Sequence, residues 1–137
     1  MGYSRHFALP EAARIQYNAL DEQHESLLDE LNDYLDMLRG NAGRLPADQC
    51  FDRLSDKMHS HFLHEEEIMA GLRYHGLDWH IGHHRESMAR LQSLRSQCID
   101  KGYIDIDDIN DCFSQVIDDV LRADLQFKTF LHVRGIL

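Results

Sequence analysis

Proline is nearly missing from this chain: Pro10 and Pro46 are the two instances in 137 residues. Both lie outside the strongest helical patterns, so no ring interrupts a long helix from within. Cysteine is scarce and odd in number, with Cys50, Cys98 and Cys112. No two share a CxxC spacing, which argues against a disulfide framework and against a thiolate zinc site. Cys98 and Cys112 fall on apolar stripes and read as small core residues, which suits a reducing cytoplasm. No apolar run approaches the length that spans a bilayer. No N-terminal stretch joins a basic end, an apolar run and a small-residue cleavage site, so no signal peptide is expected and the expected location is cytoplasmic. Basic residues are also few, 14 Lys and Arg against 24 Asp and Glu, for a formal net charge of -10. That balance disfavours nucleic acid and anionic membrane surfaces as partners. The acidic residues are spread rather than blocked, which is the pattern of a solvated surface. Strand signals, a GxGxxG and a P-loop are all lacking.

Histidine is what the chain has in excess, with ten residues. The length suits one domain over residues 1–137, large enough to bury a core without staples. Residues 1–17 lack periodicity and read as an N-terminal arm. Four amphipathic segments follow. The first runs from about Asp21 to Arg39, with Leu27, Leu28, Leu31, Tyr34, Leu35 and Leu38 at three- and four-residue steps. Gly40 reads as its stop, and Pro46 as a first-turn residue of the next helix. The second covers Ala47 to Leu72, and its stripe of Phe51, Leu54, Met58, Phe62, Met69 and Leu72 is interrupted by His61 and Glu65. The third spans Trp79 to Cys98, with His80, His84, Met88, Leu91, Leu94 and Cys98 inward. The fourth spans Asp107 to Val133, with Ile109, Phe113, Val116, Ile117, Val120, Ala123, Asp124 and Phe127 inward. Short connections between four such helices predict an all-α, antiparallel up-down four-helix bundle.

Polar residues on these apolar faces need partners, because a buried charge or imidazole without one is costly to desolvate. His61 and Glu65 stand four apart on one face, as do His80 and His84. His24 sits one turn before its leucine stripe, and Asp124 lies on the inner face of the fourth helix. Singly, each has a plain alternative: a core histidine, a helix ion pair, a surface pair, a solvated charge. Jointly they converge, since every helix supplies at least one. Four imidazoles with two carboxylates suit a borderline metal, and shared carboxylates suit two metals rather than one. A zincin motif fails because His64-Glu65-Glu66-Glu67 continues into Ile68, and no histidine has a glutamate three residues before it, as a ferritin-like site requires.

The chain resembles hemerythrins, especially the bacterial ones, over about residues 15–131. The matching stretches are Asp21-Glu22-Gln23-His24, the run from His61 to Met69 containing His61-Phe62 and Glu65-Glu66, Tyr74 through His80 to His84, and Asp119 to Leu131. The resemblance implies two iron ions with an oxo or hydroxo bridge, Glu65 and Asp124 as bridging carboxylates, His24 and His61 on the iron that takes dioxygen, and His80 and His84 on the other. It also implies an oxygen pocket lined by Leu27, Phe62, Val116 and Val120, with Gln115 where the family often has tryptophan.

One departure stands out. The family's second iron has a third histidine five residues before the bridging aspartate, and here that position is Asp119. A shorter, acidic side chain there leaves a gap. We expect water or another small ligand to fill it, held by Asp119; the alternative is direct ligation by Asp119. His83 is the substitute ligand if the register is off by one, while His6, His59, His64, His75 and His132 read as surface residues or neighbours of the ligand layer. Fewer imidazoles and more negative charge should favour the ferric state. The expected function is therefore an oxygen or redox sensor with fast autoxidation and an exchangeable position near Asp119, with one expected arrangement being the front module of a longer signalling chain that has a C-terminal output domain. An oxygen carrier or store is the second reading. A di-iron peroxidase or oxidase is the third, ranked last because no catalytic acid or base stands out, so the chain is not expected to be an enzyme.

Overall fold

A computed structural model describes residues 7–9, 11, 14–40 and 45–136, leaving aside the side chains of residues 120 and 121. His6, most of the N-terminal arm and the pocket role expected for the Val120 side chain thus lie outside the described residues. Five helical elements make the bundle: α1 (Asn18–Gly40), α2 (Ala47–Gly71), α3 (Leu77–Lys101), α4 (Ile106–Asp119) and α5 (Leu125–Val133). Among the described residues there is no strand, only an isolated antiparallel bridge between Leu45 and Ile104. The expected all-α bundle is what forms, with helix ends displaced by a few residues from the sequence reading.

The fourth segment differs from its expectation. It is not one continuous α-helix: a π turn, Val120–Asp124, joins α4 to α5. In an α-helix, residues five apart point about 140° away from each other. A turn closed by i→i+5 bonds adds one residue to the revolution and brings such residues onto a common face. Asp119 and Asp124 are separated by this turn, and both are buried.

Local chemistry sets the other joints. The Asp21 carboxylate accepts the backbone N–H of Ile15 at 2.7 Å and of Gln16 at 2.9 Å, turning the chain into α1. Gln16 carries a positive φ of 69° in that turn. At the far end of α3, Gly102 has φ 93° and its N–H bonds the Cys98 carbonyl at 2.8 Å, a left-handed cap that glycine adopts without strain. Tyr74 lies flat over Gly76, where a β-carbon would stand 2.6 Å from the ring.

The apolar stripes meet inside as expected, but in two separate clusters. The larger includes Leu27, Leu31, Leu35, Phe51, Leu54, Met58, Leu91, Ile109 and Val116. The smaller is built on Ile15, Leu20, Met69, Tyr74, Phe127, Phe130 and Leu131. The six polar residues of one layer fall between the two, with His24 between Leu20 and Leu27, His61 and Glu65 between Met58 and Met69, His80 and His84 between Leu77 and Leu91, and Asp124 between Val116 and Phe127. A polar layer is therefore sealed by hydrocarbon at both ends, where electrostatic interactions are strong and unpaired charge is costly.

All three cysteines are free and buried. Burial pushes the Cys98 and Cys112 thiols up to about 12. Because the thiolate is the reactive form, the native chain should resist a colorimetric thiol reagent at pH 8 over minutes, and expose all its thiols on unfolding in guanidinium. Stoichiometric labelling of the native chain at the unfolded rate would contradict this packing.

Candidate metal centre

Each helix carries its polar residues inward for the reason its neighbours are apolar: the same heptad-like face holds both. The result is a layer in which His24, His61, Glu65, His80, His84 and Asp124 are all nearly or fully excluded from solvent, Glu65, His80 and Asp124 at 0% exposure. These six divide into two groups, His24–His61–Glu65–Asp124 and Glu65–His80–His84–Asp124, in each of which one nitrogen or oxygen per residue lies within 4.8 Å of the others. The carboxylates belong to both. On the first side, His24 Nε2 lies 2.8 Å from Asp124 Oδ2 and 3.9 Å from Glu65 Oε2, and His61 Nε2 lies 3.3 Å from Glu65 Oε2. On the second, His80 Nε2 lies 2.6 Å from Glu65 Oε1 and 2.8 Å from Asp124 Oδ1, and His84 Nε2 lies 3.1 Å from Glu65 Oε1. Each carboxylate thus turns one oxygen to each imidazole pair.

The outer ring nitrogens settle which way the imidazoles are protonated. His84 Nδ1 donates to Glu66 Oε2 at 2.8 Å, since a carboxylate can only accept. His61 Nδ1 donates to Gln23 Oε1 at 2.7 Å, and the Gln23 amide donates in turn to His64 Nδ1. Burial, together with the neighbouring imidazoles, lowers His61 and His84 to about 3. Both rings are therefore neutral at ordinary pH, and their Nε2 atoms present bare lone pairs to carboxylate oxygens. His24 Nε2, His61 Nε2, Glu65 Oε2 and Asp124 Oδ2 have no aligned hydrogen bond although they crowd together. Lone pairs facing lone pairs in a dry layer are unfavourable unless a cation sits among them. The donor set fits one: imidazole nitrogen and carboxylate oxygen suit a borderline divalent metal, with two positions sharing two carboxylates.

Without metal, the carboxylates respond to each other. Burial and the nearby charge of Asp124 lift Glu65 well above the usual carboxylate range. At Asp124 burial acts the same way but is outweighed by the close approach of the His24 and His80 ring nitrogens, so it falls well below. One proton retained on Glu65 relieves the repulsion of like charges. A metal pair would take over that role and release the proton.

A model of the hemerythrin HHE cation-binding domain matches residues 16–127. The chain belongs to that family. No curated protein and no solved structure matches it. The match covers all six residues of the layer and makes this a cation-binding domain of a family that uses non-haem iron.

Several sequence expectations fare differently in this hemerythrin domain. Asp119 belongs to neither ligand group; its Oδ1 lies 3.1 Å from His83 Nε2, close but out of line for a hydrogen bond. His83, the substitute ligand, joins neither group; it is buried against Asp119 and stacks on Trp79 at 5.4 Å. The four-residue spacing puts Trp79 and His83 on one face of α3, but the contact with Asp119 depends on the π turn, which spacing does not show. Among the described residues, those expected to line an oxygen pocket fall in more than one place. Leu27 lines a recess of about 300 Å³ with Gln23, Lys57, His61 and His64, and Phe62 lines another of about 410 Å³ with Glu66, His84 and Met88. Val116 is packed in the larger core cluster, and Gln115 is half-buried with its Oε1 unpartnered. Leu27 belongs to α1 and lines the recess between α1 and α2, whereas Phe62 belongs to α2 and lines the recess between α2 and α3. The sequence reading also passed over Gln23 and Glu66, which orient His61 and His84.

Removing an orienting partner of a metal-bound histidine weakens metal affinity by about 10–100-fold. Glu66→Ala should do so in a chelator-competition titration while leaving the helical circular dichroism unchanged. Affinity within twofold of the parent would show that Glu66 does not orient a ligand.

Proposed function

We propose that this hemerythrin domain holds two iron ions and reacts with dioxygen as an oxygen or redox sensor. The observation that supports it most is the division of both buried carboxylates between two imidazole pairs. His24 and His61 would hold one iron, His80 and His84 the other, with Glu65 and Asp124 shared between them. What such a pair supplies when bound is electrons for dioxygen. The chain's own residues do the rest. Gln23 and Glu66 fix the tautomers of His61 and His84, and the two apolar clusters keep bulk water from the layer.

Asp119 favours the sensor over the carrier. It stands where a neutral imidazole would complete the second iron, and in the metal-free chain burial and the nearby charge of Asp124 raise it to about 6. Ionised, it adds negative charge beside the centre, which stabilises the more highly charged ferric state. The His80–His84 side is left with an exchangeable position next to Asp119. A site that oxidises readily and exchanges a ligand is suited to report oxygen by a change of state that a C-terminal output domain or partner could read.

Mixing the reduced, iron-loaded chain with oxygen in a stopped-flow spectrometer tests this reading. Rapid conversion to the diferric absorption without a persistent oxygenated band is the expected result, and a long-lived oxygenated form would favour a carrier. In the same experiment Asp119→His should slow autoxidation by about tenfold, a change of ~1.4 kcal/mol in the barrier. An unchanged or faster rate would contradict the role given to Asp119.

A further inference from the structure

The recess between α1 and α2, about 300 Å³ in volume, has a polar lining of Gln23, Ser26, Lys57, Ser60, His61 and His64. No carboxylate lines it, although the chain carries a formal net charge of -10. Lys57, Ser60 and His64 follow one another at three- and four-residue steps, so they share one face of α2. The buried Glu30 carboxylate is shared by Lys57, 3.3 Å from Oε2, and Arg53, 3.1 Å from Oε1, so these three side chains together leave one positive charge over.

The hydrogen-bond roles around the recess decide what it can take. Lys57 Nζ donates to Ser26 Oγ at 3.2 Å. An ammonium has three protons, so one remains after Glu30 and Ser26, and Ser26 keeps its own hydroxyl proton to give. The Ser60 hydroxyl has no partner among the described residues. Because His64 Nδ1 accepts from the Gln23 amide, the ring's proton sits on Nε2. Four donors therefore border one small space. A metal cation would meet an ammonium and no anionic ligand there, and a neutral molecule would leave the ammonium charge unanswered. An oxyanion accepts from several sides and meets both needs.

The same recess touches the ligand layer through one relay. Gln23 Oε1 accepts the His61 Nδ1 proton at 2.7 Å, which leaves His61 Nε2 bare. Reversed, the relay would set the Gln23 amide nitrogen against His61 Nδ1 and move the His61 proton to Nε2, 3.3 Å from Glu65 Oε2, where it blocks a metal. An acceptor at His64 Nε2 selects the first polarity. We infer that the α1–α2 recess is a binding site for a small inorganic oxyanion, and that the bound anion, through His64 and Gln23, holds His61 in the tautomer that can ligate. The binding stands on the recess alone; the coupling rests on the reading of the six residues as a metal centre.

Sulfate is the probe, with chloride at matched ionic strength as the control. In the metal-free chain, sulfate should give saturable nuclear magnetic resonance shifts at the His64 ring nitrogens and the Ser60 amide. Lys57→Met should weaken this binding by about tenfold, the order expected for a lost hydrogen bond between charged partners, and Ser60→Ala should weaken it without touching Glu30. Shifts that chloride reproduces, or affinity within twofold of the parent in both variants, would overturn the site. In a chelator competition, saturating sulfate should tighten divalent metal binding several-fold in the parent and not in Gln23→Leu. Metal affinity indifferent to sulfate in the parent would overturn the coupling. Saturable sulfate binding in a chain that takes up no metal would support the site and sink the metal reading, so the two failures are distinguishable.

Discussion

Two carboxylates without solvent contact, Glu65 and Asp124, stand back to back in a layer closed by hydrocarbon above and below. Burial of one such group is costly, and burial of two within reach of each other is more so, since each raises the free energy of the other's charge. The four imidazoles do not resolve the conflict by themselves, because His61 and His84 are held neutral with their lone pairs pointed inward. Only a cation satisfies all of these atoms together. Residues from α1, α2, α3 and the junction of α4 with α5 meet in this layer, so a metal bound there would stabilise the closed bundle.

The π turn is the second consequence of that layer. Asp124 is needed between the imidazole pairs, and the apolar residues of α5, Phe127 and Leu131, must reach the smaller core cluster. An unbroken helix from Ile106 would turn either Asp119 or Asp124 away from the buried face. The added residue of Val120–Asp124 lets both lie inside. π turns carry a cost in helix geometry and tend to persist where a site needs them. Here the turn also sets Asp119 against His83, which keeps this carboxylate beside the centre without joining either ligand group.

Much of this was legible in the residues. The stripes of α1 and α2 predicted their helices closely, because leucine and phenylalanine at three- and four-residue steps have one economical packing. The convergence of His24, His61, Glu65, His80, His84 and Asp124 followed from their places on those stripes. What escaped depended on phase and on side-chain direction. Periodicity assumes a constant turn, so the π turn and the burial of His83 could not be read from it. Gln23 and Glu66 looked like ordinary polar surface, because their role is visible only once the ring nitrogens of His61 and His84 have a direction. Leu27 and Phe62 are apolar as expected, but which inter-helix recess each lines is a matter of helix packing that spacing alone leaves open.

The central claim is that Glu65 is shared by two metal positions rather than serving one. Elemental analysis of the chain loaded anaerobically with ferrous iron and freed of excess metal tests it most directly, with Glu65→Gln measured beside the parent. The account predicts about two iron ions per chain in the parent, following the pattern of two-metal carboxylate bundles, and loss at both positions together in the variant. A parent with a single ion, or a variant that keeps its full complement, would contradict it.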